Sequence, residues 1–200
     1  MERLIGVLGG TFDPPHAGHL LLAKRAHKAL KLDKVLWVVT PSPPHKLNMS
    51  ISPLSARIKM VEQSIHSLPA FELSNADSSR PAPHYAVGTL HWLRDHYPGR
   101  KFAYLMGSDS LMDLPNWHEP LEFIKLCEIL AVMHRIGTMV KMEELEKGLP
   151  GITSKTFFLE GVQDEISAFA IRERVRKGEA YDGFVPAGVA EIIEHRGLYT

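Results

Sequence analysis

Gly9-Gly10-Thr11-Phe12-Asp13-Pro14-Pro15-His16-Ala17-Gly18-His19 decides how this chain is read. The stretch follows a short apolar run, Leu4-Ile5-Gly6-Val7-Leu8, that reads as a buried strand, and precedes an amphipathic segment, Leu20 to Leu32, that reads as a helix. Paired glycines at a strand end let the backbone approach a ligand and adopt positive φ. Pro14-Pro15 removes two N–H donors and stiffens the turn. Gly18 opens the helix, whose free N–H groups and positive dipole end favour an anion. Two imidazoles, His16 and His19, stand at the same mouth. The combination predicts a phosphate site.

The spacing excludes the better-known phosphate loops. There is no GxxxxGK[ST], hence no P-loop, and no GxGxxG with a downstream acid, hence no dinucleotide-binding loop of that kind. Zinc is not expected, because no cysteine or acidic partner lies at ligand spacing from the two histidines.

Composition sets the wider bounds. Two hundred residues suffice for one α/β domain, residues 1–200, with a full core. The 23 lysines and arginines balance the 23 aspartates and glutamates, so no basic field invites nucleic acid. The single cysteine, Cys127, lies in the apolar run from Phe123 to Val132 and reads as a buried thiol, in keeping with a reducing cytoplasm. Glu2-Arg3 leads straight into a strand without the apolar core of a signal peptide, and no apolar run approaches the ~20 residues that span a bilayer. These features predict a soluble, cytoplasmic protein, and nothing in them selects a monomer over a homo-oligomer.

Along the chain, Lys34 to Thr40 reads as a second buried strand, and the proline-rich Pro41-Ser42-Pro43-Pro44-His45-Lys46 follows it. In a parallel sheet this loop shares one rim with the first, so His45 and Lys46 would face the same anion. Ser52-Pro53 reads as a capped helix start, the helix running to about His66. Ser55 and Arg57 fit solvated positions on it. Phe71 to Ser74 is a short strand, Arg80 to Leu90 a loop, and Lys101 to Met106 a strand ending at Gly107-Ser108-Asp109. Asp109 suits a ribose hydroxyl, while a helix cap by Ser108 or Asp109 is the plainer account. The indole of Trp117 offers a π face for stacking or an apolar body for the core. Glu128 to Met133 and Thr156 to Leu159 read as further strands, with a charged helix-like segment from Thr138 to Lys147 between them. Near residue 167 a helix starts with Ser167 as N-cap, and Arg172 and Arg176 share one face of it, an arrangement that can clamp a triphosphate. A last helix, Val189 to His195, ends at Gly197. Strand and helix alternate, which predicts a doubly wound parallel sheet.

The string GGTFDPPHAGHL resembles the HxGH signature of the nucleotidyltransferase superfamily, and most closely the nicotinate-nucleotide adenylyltransferases, whose loop reads GGTFDPxHxGH. The resemblance runs in order through Pro43-Pro44-His45-Lys46, the SxR of Ser55 and Arg57, Gly107 and Asp109, Trp117, Arg135 and the closing segment to Tyr199. Arg80 to Leu90 matches RPGPSYTxxTL with Ala82, His84 and Ala86 in place of glycine, serine and threonine. The late stretch matches ISSTxIR at Ile166, Ser167, Ile171 and Arg172, with Ala168 and Phe169 in place of serine and threonine. Phe169 thereby exchanges a hydroxyl for an apolar ring.

The resemblance implies a Rossmann-like nucleotidyltransferase fold and transfer of AMP from ATP to nicotinate mononucleotide. His16, His19, Lys46 and Arg172 would carry the chemistry. ATP would lie on Gly9, Gly10, Thr11, Phe12, Gly18, Gly107, Asp109, Ile166 and Ser167 beside those four, and the acceptor on Tyr85, Ala86, Thr89, Trp117 and Arg135. Mg2+ would ride on the ATP phosphates, since the sequence offers no carboxylate cluster to cage it. Two alternatives remain at this point: a sister enzyme that uses nicotinamide mononucleotide or phosphopantetheine, and a nucleotide-binding protein with little or no catalysis.

Overall fold

The computed structural model describes residues 4–43, 50–135, 137–163 and 166–200. Among these, six strands form one parallel sheet: β1 (Leu4–Gly10), β2 (Lys34–Val39), β3 (Phe71–Ser74), β4 (Lys101–Gly107), β5 (Ile129–Arg135) and β6 (Thr156–Gln163), in the order β3-β2-β1-β4-β5-β6. Helices α1 (Ala17–Leu30), α2 (Leu54–Ile65) and α3 (Ala86–His96) join the first four strands. Short α4 (Ser108–Asp113) and α5 (Pro120–Leu126) link β4 to β5, and α6 (Met142–Gly148) and α7 (Ile152–Lys155) precede β6. Helices α8 (Ala168–Arg176) and α9 (Ala187–Arg196) follow it.

Alternation along each strand explains the layering. Ile5 and Val7 of β1, Leu36 and Val38 of β2, and Phe102, Tyr104 and Met106 of β4 face Val87, Leu90 and Leu93 of α3 and Phe123 of α5. The intervening residues, among them Val35, Trp37, Ala103 and Leu105, face Leu22, Ala23 and Ala26 of α1 and Val61 and Ile65 of α2. Both faces are apolar because both are covered, as a parallel sheet requires. A smaller cluster of Met60, Ile171, Val185, Val189 and Ile193 ties α8 and α9 to α2.

The order of strands reverses beside β1: β2 lies on one side of it and β4 on the other. At such a switch point the connections leave in opposite directions and open a crevice beyond the carboxyl ends of the strands. Gly10 and Gly107 end β1 and β4 at that crevice, and Thr40 follows β2 there.

The strands fall where the apolar runs place them, with β1, β5 and β6 extended two or more residues beyond their predicted ends. Three local expectations are corrected. The first helix begins at Ala17 rather than Leu20, with His16 at its N-cap. Residues 86–90, expected in a loop, form the first turn of α3. Ser52 does not cap α2, whose N-cap is Pro53; instead its N–H donates to the Asp13 carboxylate at 3.1 Å.

Candidate active site

The crevice is a cleft of about 760 Å³. It is lined by Gly9, Gly10, Thr11, Phe12, His16 and His19 from the first loop, by Tyr85, Ala86 and Thr89 at the start of α3, and by Gly107, Asp109, Trp117 and Arg135. Ile166, Ser167 and Arg172 close it from the far end of the sequence. Nearly every residue singled out above therefore shares one cavity. Gly18 lies in a shallower groove beside it, with Ala17, Leu21 and Lys24, and Ile166 borders both. His45 and Lys46 lie outside the described residues.

The first loop is held from below. Phe12 adopts φ 50° and is 2% exposed, its ring between Trp37 and His19 at centroid distances of 5.2 and 4.9 Å. It is thus a buttress of the histidine pair as well as part of the wall. Gly9 and Gly10 do not adopt positive φ, contrary to the expectation; the left-handed residue of the loop is Phe12. Space is what requires Gly9, where a Cβ would stand 2.6 Å from the Tyr104 hydroxyl oxygen. At Gly10 a Cβ would press on the Phe12 ring at 3.2 Å.

The two imidazoles are paired, with ring centroids 3.7 Å apart. The His16 N–H donates to Nδ1 of His19 at 3.1 Å, so the neutral His19 ring carries its proton on Nε2. His16 is 5% exposed, and its Nδ1 is buried without a hydrogen-bond partner. Burial, reinforced by the nearby Arg135 guanidinium, pushes its pKa down to about 4. At neutral pH the His16 imidazole therefore brings no charge of its own to the site.

Arg57, which fitted the family's SxR and a solvated helix position equally well, is 1% exposed, so the solvated account is corrected. Its guanidinium donates to the backbone carbonyls of Ser52, Thr11, Thr40 and Pro41 at 2.9–3.0 Å. One buried cation thereby joins the loops after β1 and β2. Sequence spacing could not reveal this, because those carbonyls come together only in the sheet.

At the other end of the cleft Thr89, expected on the acceptor, turns its hydroxyl to the buried Asp77 at 2.6 Å, and Asp77 also accepts from Thr40 at 2.9 Å and Arg80 at 2.7 Å. Ala86 is the first residue of α3, where backbone N–H groups have no partner within the helix. Trp117 is half-buried, its ring edge-on to Tyr104 and Phe123 at 6.2 and 5.2 Å, so it packs on the core and also lines the cleft. The Tyr85 ring stacks on His118 at 4.1 Å. His84, which the sequence reading did not select, is 7% exposed with Nδ1 unpartnered, and burial pushes its imidazole below the usual histidine range.

Asp109 and Arg135, assigned above to different substrates, bond to each other at 2.8 Å. Neither Ser108 nor Asp109 caps α4; the Ser108 hydroxyl accepts from the Arg135 N–H at 3.0 Å. Ser167 does cap α8, accepting from the Ala170 N–H at 3.1 Å. Arg172 reaches back 159 positions to donate to the Asp13 carbonyl at 2.7 Å. Arg176 shares that helix but pairs with Glu173. Among the described residues no three His, Cys, Asp or Glu side chains group as a metal site, and no helix is long and apolar enough to cross a membrane.

Comparison with known proteins agrees with this geometry. Residues 7–174 match the cytidylyltransferase-like family. A probable nicotinate-nucleotide adenylyltransferase of Dehalococcoides mccartyi is 37% identical over 97% of this chain and 96% of its own length. One from Thermomicrobium roseum is 38% identical over 100% of this chain and 92% of its own. In fold, the chain superposes on the Plasmodium falciparum nicotinic acid mononucleotide adenylyltransferase complexed with NaAD. The TM-score is 0.81 at 17% identity, over 98% of this chain and 97% of that one. A six-stranded parallel sheet, a histidine pair at its switch point and full-length relatives of one kind converge on one assignment: the chain belongs to the nicotinate-nucleotide adenylyltransferase family.

Proposed function

We propose that the residues gathered in this cleft transfer the adenylyl group of ATP to nicotinate mononucleotide, giving deamido-NAD and pyrophosphate. The observation that carries the reading is the stacked pair of His16 and His19, the first held uncharged by burial, in the cleft that Arg172 also lines. In this reaction an oxygen of the acceptor's phosphate attacks the α-phosphorus of ATP, a new P–O bond forms, and the α–β bridging bond breaks to release pyrophosphate. The acceptor phosphate is already anionic near neutral pH, so no general base is required. What the protein supplies is alignment and stabilisation of charge on the α-phosphate and the leaving group.

His19 meets these needs with Nε2–H, its tautomer held by the His16 backbone. His16 contributes a neutral ring at the same phosphates. Arg172, with Lys46, holds the triphosphate, and the backbone N–H groups at the start of α8 behind Ser167 add donors that do not depend on residues 168 and 169. The ribose of ATP is placed at Gly107 and Asp109, a pose that exchanges the Asp109–Arg135 bond for ligand contacts. The pyridine ring lies against Trp117 and Tyr85, its carboxylate at the free N–H groups that begin α3; Ala86 serves there as well as threonine because the donor is backbone. Mg2+ would be carried on the ATP phosphates, since among the described residues no three His, Cys, Asp or Glu side chains group to hold it. On this reading residues 1–200 act as one catalytic domain in the cytoplasm.

The test is pyrophosphate release with ATP, Mg2+ and either nicotinate or nicotinamide mononucleotide, with His19→Ala alongside. Faster turnover of the acid is expected, with a loss of about 10²–10³ in kcat for the variant at unchanged melting temperature. A His19→Ala enzyme near the wild-type rate overturns the mechanism. ATP binding without pyrophosphate release from any acceptor overturns the enzymatic reading.

A further inference from the structure

Helix α9 ends at Gly197, which takes φ 56°, and the Leu198 N–H turns back to the Ile193 carbonyl at 3.0 Å. This capping turn aims the next residue away from the helix axis. Tyr199 then adopts φ 70°, a left-handed conformation that a bulky side chain occupies only where its surroundings hold it there. Its hydroxyl donates to Oδ1 of Asp13 at 2.6 Å, within the short range of an O–H to carboxylate bond. The bond ties the end of the chain to the first loop, to which Asp13 belongs.

Asp13 is a junction. It is 4% exposed, and three segments far apart in sequence converge on it. Tyr199 holds Oδ1, the Ser52 N–H holds Oδ2 at 3.1 Å, and Arg172 holds the backbone carbonyl at 2.7 Å. On its N-terminal side stands Phe12, the left-handed residue whose ring supports His19. Three residues beyond it is His16, the N-cap of α1. The orientation of Asp13 therefore sets both the histidine pair and the reach of Arg172.

We infer that Tyr199 is a positioning residue for adenylyl transfer, acting through the Asp13 carboxylate to fix the first loop and Arg172 in reacting register. Tyr199 touches no reacting atom. Without its hydroxyl, the Asp13 carboxylate loses a partner and gains freedom to turn, and a displacement of about 1 Å at the histidines lowers the rate by up to about 10²-fold. The inference rests on the functional reading above, so its test includes a readout that does not need turnover.

Tyr199→Phe keeps the ring and removes the bond. The expected result is a kcat lowered by between about tenfold and 100-fold, with the acceptor KM unchanged and the protein fully folded at the assay temperature. Asp13→Asn combined with Tyr199→Phe should be no slower than the worse single variant, since both changes break one link. In the ligand-free protein, the imidazole NMR signals of His16 and His19 should move in Tyr199→Phe and stay in place in Tyr97→Phe, a tyrosine remote from the loop. That measurement decides the inference even if the wild-type chain releases no pyrophosphate. Unmoved histidine signals, a wild-type kcat in Tyr199→Phe, or a rate loss that only follows the fraction unfolded would each overturn it.

Discussion

The two stretches that meet at the rim, residues 9–19 and 166–176, serve one cleft and are built in opposite ways. The first is a buried frame: Phe12 and His16 are 2% and 5% exposed, Gly9 fits against Tyr104 with no room for a Cβ, and Arg57 gathers the surrounding carbonyls. The second is an exposed helix start in which Ser167 satisfies the backbone, Phe169 is 64% exposed and Arg172 alone reaches into the first loop. A site part held by packing cannot exchange residues without disturbing its neighbours. A site part made of backbone donors and one long side chain can. This is why the first motif matches its family residue for residue while the second carries alanine and phenylalanine where hydroxyls are usual.

Acid should break the contrast from the side of the first loop, with the largest expected effect. The unfolded chain holds the His16 imidazole near its ordinary 6.5, and the folded chain lowers it to about 4. Between those values the unfolded state binds more protons, so stability falls as pH falls through that window. From about pH 7 to about pH 4 the loss assigned to His16 is about 3 kcal/mol. Urea unfolding at both pH values should show a wild-type decline steeper than that of His16→Asn by this order. Equal declines would mean that the buried imidazole is not what makes the loop acid-sensitive.

A smaller effect is expected from Gly9→Ala, whose added methyl meets the Tyr104 hydroxyl on a ring locked between Trp117 and Phe123. Overpacking of this kind costs about 1–3 kcal/mol. Thermal unfolding should register the loss, and Tyr104→Phe in the same chain should recover much of it. Failure of the second change to help would place the cost elsewhere than in this contact.

The second stretch should respond least. Phe169→Thr alters an exposed side chain and should leave stability within about 0.5 kcal/mol of wild type. It supplies a hydroxyl at the cleft worth about 0.5–1.5 kcal/mol if a phosphate oxygen takes it up, so the KM for ATP should fall about two- to tenfold. A stability change as large as that of Gly9→Ala would erase the distinction between the two halves. An unchanged KM would show that the backbone donors behind Ser167 suffice alone.

Much of this site is legible in the chain. The apolar runs mark the strands because a doubly covered parallel sheet needs continuous apolar residues, and the turn after β1 carries both histidines within four positions. Two readings failed for one physical reason. A solvated Arg57 stood level with the SxR match because its four carbonyl partners come from segments that only the folded chain assembles. The glycines look chosen for their backbone freedom, yet Gly9 is fixed by a tyrosine on a neighbouring strand.

The sequence by itself determined the alternation of strand and helix and the place of both histidines in the turn after the first strand, which follow from local periodicity and a short motif. The tertiary structure alone decided their state: the neutral His16, the tautomer of His19, the Asp109–Arg135 bond and the tie from Tyr199 to Asp13 across 186 positions. These depend on burial and on the meeting of distant polar atoms. The solvation and hydrogen bonding of a side chain are properties of its surroundings, and those exist only once the chain has folded.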